Sequence, residues 1–172
     1  MSIHLTDYRT QDRQPLHDLY RVIATIPGGI IREPDEITEA YIEQIVTEAT
    51  QCGIMLIARE GEKPVGEIHA YTPSLQAFRH ILTELTIVVH PDYQGQGIGK
   101  LLFQSFLEKV RQDFSHILRV ELYTREHNQK NVAFYESLGF QNEGRQADKI
   151  MGPEGQLETP LHMVWFNPAF EC

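Results

Sequence analysis

The sequence predicts a mixed α/β domain, a sheet carrying helices on both sides, and three observations support that expectation. Short β-rich stretches alternate with amphipathic helical stripes along the chain. Two such stripes stand together near the N-terminus, ahead of a hairpin signal at Gly61-Glu62-Lys63. The most β-like stretch, Leu82 to His90, runs into a turn with three glycines and then into a Leu-rich helix. The resulting order is β-α-α-β-β-β-α-β-α-β-β. No repeat, low-complexity tract or Pro/Ser-rich linker interrupts it, so residues 1–172 read as a single domain.

Each element has its own signal. Ile3 to Tyr8 alternates apolar and polar residues, as an edge strand does. Asp12 to Ile26 places Leu16, Leu19, Tyr20, Ile23 and Ala24 at helical spacing, and Pro27-Gly28-Gly29 stops it. Asp35 to Gln51 carries the stripe Ile37, Tyr41, Ile42, Ile45 and Val46, ended by Gly53. Ile54 to Arg59 and Val65 to Tyr71 form the two arms of the hairpin. After Leu82 to His90, the helix from Gly97 to Asp113 is expected to bury Ile98, Leu101, Leu102, Phe106 and Val110. Leu118 to Thr124 is a strand, and Asn131 to Leu138 is a helix closed by Gly139. Phe140 to Arg145 and Leu161 to Phe166 complete the set, with Asn167-Pro168 as the stop.

Composition narrows the function classes. The chain has 15 basic and 24 acidic residues, a net charge of −9, which opposes nucleic-acid binding by counterion release and suits a cationic substrate. No apolar run reaches the roughly 18 residues of a membrane helix, and MSIHLTDYRT lacks the pattern of a signal peptide, so a cytoplasmic location is expected. Cys52 and Cys172 form no CxxC pair, and the eight histidines match no metal spacing, so no metal is expected.

The most informative unit is Leu85-Thr86-Ile87-Val88-Val89-His90-Pro91-Asp92-Tyr93-Gln94-Gly95-Gln96-Gly97-Ile98-Gly99-Lys100. The strand is expected to be buried. Free N–H groups at a helix start attract anions, and glycines let backbone approach a ligand. A Walker loop fails, because position 94 is Gln and Leu101 follows Lys100. A dinucleotide fingerprint fails too, because the spacing is GxGxG and three predicted strands come first. What remains resembles the [QR]xxGx[GA] signature of the GCN5-related N-acetyltransferase (GNAT) superfamily. A second block agrees: Glu121 to Asn128, then Asn131-Val132-Ala133-Phe134-Tyr135-Glu136-Ser137-Leu138-Gly139-Phe140, is similar to that family's fifth strand and fourth helix. The likeness is sharp over residues 82–143, and elsewhere it is one of element order.

The resemblance implies a GNAT-like fold and an acetyl-CoA-dependent N-acetyltransferase. Pantetheine and acetyl would meet the main chain of Ile87, Val88 and Val89. Pyrophosphate would sit on the loop Gln94, Gly95, Gln96, Gly97, Ile98 and Gly99, with Lys100 adding charge, and Asn128 would contact the cofactor. The acyl transfer implied is direct attack by an amine in a ternary complex, which needs a neutral amine, a stabilised oxyanion and a protonated thiolate. Glu84, in Glu84-Leu85-Thr86-Ile87-Val88-Val89, resembles the acceptor-facing glutamate of the branch that acetylates small amines such as phosphinothricin, and is the candidate base. A water or histidine route stays open beside it. Where other members carry a fifth-strand glutamate, this chain has Tyr123. Tyr135 matches the family's general acid. The acceptor is a small amine, an amino acid or a peptide N-terminus, and nothing in Pro27 to Arg32 encodes which. A homodimer stays open. The rival expectation is a coenzyme-A-binding sensor without transfer activity.

Overall fold

The computed structural model describes residues 2–172. Its elements are β1 (Ile3–Thr6), α1 (Arg13–Ala24), α2 (Glu39–Cys52), β2 (Gly53–Glu60), β3 (Lys63–Tyr71), β4 (Ile81–Val89), α3 (Ile98–Asp113), β5 (Arg119–Arg125), α4 (Gln129–Ser137), β6 (Gln141–Arg145), β7 (Ile150–Met151), β8 (Leu157–Glu158) and β9 (Pro160–Phe166). Seven strands form a mixed sheet in the order β1-β2-β3-β4-β5-β9-β6, as the alternation of elements led one to expect. Two compact units divide the chain, and β4 contributes its first half to one and its second half to the other.

The first unit holds residues up to Thr72 together with Thr86–Lys109. Antiparallel pairing joins β1 to β2 (Ile3↔Glu60) and β2 to β3 (Gly53↔Tyr71), with a bulge between Ala58 and Arg59. His90 N–H donates to the Val65 carbonyl at 2.8 Å, which ties the end of β4 to β3. The core gathers Leu16, Leu19, Tyr20 and Ile23 of α1, Ile42, Ile45 and Ala49 of α2, and Met55, Ile57 and Val88 from the strands. A buried guanidinium also lies here. Arg59 donates to Asp12 Oδ1 at 2.8 Å and pairs with Asp12 Oδ2, and its Nε donates to the Thr6 hydroxyl at 2.7 Å.

Two expectations about the helices need correction. Ile37 is buried but lies outside α2, because a 3-10 turn occupies Pro34–Glu36 and Thr38 caps the helix by accepting from Tyr41 N–H at 3.1 Å. Leu101 is 39% exposed, whereas Phe103 and Leu107 join Ile98, Leu102, Phe106 and Val110 on the buried stripe of α3. At about 100° per residue Leu101 points roughly 150° away from the centre of that stripe.

The second unit holds Pro73–Leu85 and Val110–Cys172. β4 pairs in parallel with β5 through Ile81↔Arg119 and Leu82↔Val120. β9 lies antiparallel to β5 (Tyr123↔His162) and to β6 (Gln141↔Val164). Asn167 closes the unit, its side-chain amide donating to the Ile117 carbonyl at 3.0 Å. The β7–β8 hairpin was not foreseen. With two residues per strand, and Met151 and Leu157 both exposed, it has no alternation long enough to read.

Candidate active site

In the first unit, β4 ends at Val89 and a 3-10 turn at Pro91–Tyr93 leads into the glycine loop. Tyr93 is the anchor of that turn. Its ring is buried, and its hydroxyl donates to Glu60 Oε2 at 2.5 Å. That bond, together with the charge of Glu60, pushes the phenol pKa up. Gln94 folds its side-chain amide back to donate to the Val89 carbonyl at 3.0 Å, and Gln96 donates to the Asp92 carbonyl at 3.1 Å. Both glutamines thus brace the loop from within.

Gly95 and Gly97 hold φ of +75° and +82°, the left-handed region that favours glycine. Nothing lies within 4 Å of where a Cβ would stand on either, so the loop is open on that side. Gly99 differs. Its missing Cβ would touch Val89 Cγ2 at 4.0 Å, ordinary contact that an alanine could fill, in keeping with the [GA] of the signature. The helical ladder of α3 starts with Leu101 N–H donating to the Gly97 carbonyl at 3.0 Å. The N–H groups of Ile98, Gly99 and Lys100 therefore precede it, as an anion at a helix start requires.

The strand before the loop is not buried as expected. Val88 is inside, but Ile87 and Val89 are only half-buried, so β4 presents an apolar wall with accessible edges. His90 accepts from Asp92 N–H at 3.3 Å through Nδ1, and so caps the turn.

In the second unit, Glu84 is exposed and holds φ of +55°, two residues beyond the Leu82↔Val120 pair. A non-glycine residue in the left-handed region interrupts the regular pleat there. Asn128 caps α4: its Oδ1 accepts from Asn131 N–H at 3.1 Å. Tyr135 is buried between Phe134 and Phe140, with ring centroids at 5.6 and 6.0 Å, and burial pushes its phenol pKa up to about 12. Such a phenol keeps its proton at neutral pH, as a general acid must. Tyr123 is half-exposed against His162, which stands directly opposite it on β9 at 4.8 Å. Among the described residues no group of three or more His, Cys, Asp or Glu is placed to hold a metal ion, and no helix is long and apolar enough to cross a membrane.

A sequence model of the acetyltransferase (GNAT) family matches residues 14–140, which fall in both units. The chain belongs to the GNAT acetyltransferase family. The resemblance read from the two motif blocks is thereby borne out.

Among curated relatives, the L-amino acid N-acyltransferase MnaT of Escherichia coli K12 is 33% identical over 67 residues, 39% of this chain and 37% of that protein. The uncharacterized N-acetyltransferase ycf52 of Gracilaria tenuistipitata var. liui is 27% identical over 125 residues, 73% of this chain and 61% of that protein. This chain therefore spans between about a third and three fifths of these relatives' lengths. Among solved structures, a GNAT superfamily phosphinothricin acetyltransferase from Sinorhizobium meliloti in complex with AcCoA has the same fold. Its TM-score is 0.83 at 17% identity, over 99% of this chain and 93% of that one.

Two features escaped the sequence reading. The Tyr93–Glu60 anchor joins residues 33 apart with no motif to link them. A buried cluster of Tyr20, Glu67 and His69 sits inside the first unit. Its one sequence trace is Glu67-Ile68-His69, two polar residues alternating on an apolar strand.

Proposed function

We propose that this GNAT protein uses acetyl-CoA to acetylate a primary amine by direct transfer, with residues 1–172 acting as one functional domain. The observation that carries the proposal is the loop Gln94–Gly99: two left-handed glycines, an open side and the leading N–H groups of α3, in a chain of this family. Those features fit a pyrophosphate, and Ile87, Val88 and Val89 would hold the pantetheine and acetyl portion. Bound acetyl-CoA supplies an activated thioester carbonyl. The chain's residues do the rest.

In this reading Lys100 adds charge beside the phosphates. Asn128 keeps α4 capped, and that fixes Tyr135, two helical turns on. Tyr135 protonates the departing thiolate, its phenol carrying the proton at neutral pH. Glu84 meets the acceptor, and the base is either Glu84 itself or a histidine reached through water. The MnaT relative acts on L-amino acids by its name, and a fold neighbour is named for phosphinothricin, so we place small amino-acid-like amines first among acceptors, ahead of peptide N-termini.

The test combines binding and turnover. Acetyl-CoA at about 100 times its Kd should stabilise the fold by about 2.7 kcal/mol, with ADP giving part of that. Thiol release on a panel of amino acids, small amines and peptides should then reveal the acceptor. An unchanged melting temperature at millimolar acetyl-CoA would remove the cofactor assignment. Binding without turnover on every amine would leave a sensor.

A further inference from the structure

Along β3, the run Val65 to Ala70 is buried and apolar except at Glu67 and His69, which alternate onto one side of the strand. Their exposures are 0% and 1%. Tyr20 of α1, equally buried, donates its hydroxyl to Glu67 Oε2 at 2.5 Å, and its oxygen lies 3.3 Å from His69 Nδ1. His69 Nδ1 stands 3.0 and 3.2 Å from the two carboxylate oxygens. Burial and the charge of Glu67 hold the Tyr20 pKa well above its ordinary value, so this hydroxyl is a donor.

Packing alone does not account for the cluster. Apolar side chains of similar volume would serve a buried strand as well or better, because desolvating ionisable groups costs several kcal/mol. In the other buried ionic pair of this unit, Asp12 with Arg59, all three guanidinium nitrogens donate, and the pair ties β1 and β2 to the residue that precedes α1. The β3 pair has a nitrogen to spare. Among the described residues the hydrogen bonds of His69 all run through Nδ1, yet Nε2 is not among the buried atoms without a partner, where only His17 Nδ1 is found. The residual exposure of the ring therefore lies at Nε2. A carboxylate at Nδ1 selects the tautomer with its proton there and its lone pair on Nε2.

Tyr41 of α2 meets Tyr20 edge-on at 6.1 Å, and Arg32, from the loop between α1 and α2, lies 4.0 Å over the Tyr41 ring. Tyr71 stacks on His69 at 6.3 Å, and Met55 of β2 stands opposite His69.

We propose that His69 is the proton acceptor for the acceptor amine, reached through one water at Nε2, with Glu67 and Tyr20 as positioning residues. The inference rests on the acetyltransferase reading. One ammonium N–H bond breaks and its proton passes through the water to Nε2. The freed nitrogen lone pair forms the C–N bond as the thioester C–S bond breaks, and the second nitrogen proton ends on the departing thiolate, giving the amide and a free thiol. The Glu67 carboxylate balances the imidazolium, which returns its proton to solvent after transfer. An imidazole, ordinarily titrating near pH 6.5, suits a base at neutral pH better than a carboxyl titrating near 4.3. Glu84 is then not the proton acceptor.

The experiment compares H69Q and E84Q with wild type in kcat/KM from about pH 6 to pH 10, alongside acetyl-CoA Kd. H69Q should lose about 10²- to 10⁴-fold at pH 7, shrinking as the amine becomes neutral, with Kd unchanged. E84Q should raise KM without changing the shape of the profile. A folded H69Q within threefold of wild type at every pH overturns the assignment. Should H69Q not fold, ¹⁵N spectra of the wild-type histidine rings decide. The expected result is a lone pair on Nε2 of His69 and a titration that tracks the acid limb of kcat/KM; a proton on Nε2 in the neutral ring overturns it. Wild type that binds acetyl-CoA but turns over no amine overturns the acetyltransferase reading, and this inference with it.

Discussion

Placing either Asn or Asp at Gly97 separates backbone from charge at the phosphate loop. Gly97 holds φ of +82°, and a Cβ there would meet nothing within 4 Å, so neither side chain strikes a wall. The folding cost is that of a left-handed residue, about 1 kcal/mol, and Asn and Asp both tolerate that conformation. The two variants should therefore melt together. They differ by one negative charge beside the proposed pyrophosphate. A like-charge contact costs about 1 kcal/mol in bulk water and about 4 kcal/mol at a typical protein surface. A middle value of about 2 kcal/mol predicts acetyl-CoA binding roughly thirtyfold weaker in Gly97→Asp than in Gly97→Asn. Titration calorimetry at low and high salt measures it, and the gap should narrow as salt shortens the Debye length. Equal Kd values for the two folded variants at every salt concentration would place the phosphates elsewhere.

Two further substitutions test the second unit and the core. Tyr135→Phe should lower kcat by about 10- to 100-fold, since a thiolate leaves fairly well unaided. Because the folded pKa of Tyr135 is raised to about 12, its stabilisation is complete below pH 10 and is lost as pH rises from 10 to 12. Denaturant melts across that window should show wild type losing about 2.7 kcal/mol relative to Tyr135→Phe, and parallel curves would refute a buried hydroxyl. Asp12→Ala strands the Arg59 guanidinium in the core and should cost about 3–5 kcal/mol in urea unfolding, much of it recovered by adding Arg59→Met. A loss below about 1 kcal/mol would show that water reaches that guanidinium.

The parts of this protein written in local patterns were legible. The glycine loop announces itself because left-handed backbone demands glycine at fixed spacing, and α1 shows its buried face as a helical stripe. Boundaries blurred where capping decided them: Thr38, not the apolar stripe, starts α2. Leu101 misled because hydrophobicity was read without the helical angle. Contacts between distant residues left little trace. Tyr20 meets Glu67 across 47 positions, and the Glu60 that holds Tyr93 looks like any strand-end carboxylate until the fold brings them together. Half-burial of Ile87 and Val89 was equally hidden, since apolar composition does not say what covers a strand.

The Tyr93–Glu60 bond bears on when the loop becomes ordered. Glu60 sits at the last rung of the β2–β3 hairpin, across from Lys63, whose ammonium lies 5.5 Å from the Tyr93 ring. The root of the glycine loop is thus clamped to a hairpin that forms from neighbouring residues. Conformational freedom is surrendered there during folding rather than when a ligand arrives, and a pre-shaped receptor gives up less entropy on association. Amides around Gly61 and around the Pro91–Tyr93 turn should accordingly exchange with solvent as one cooperative unit, opening and closing together even in the free protein.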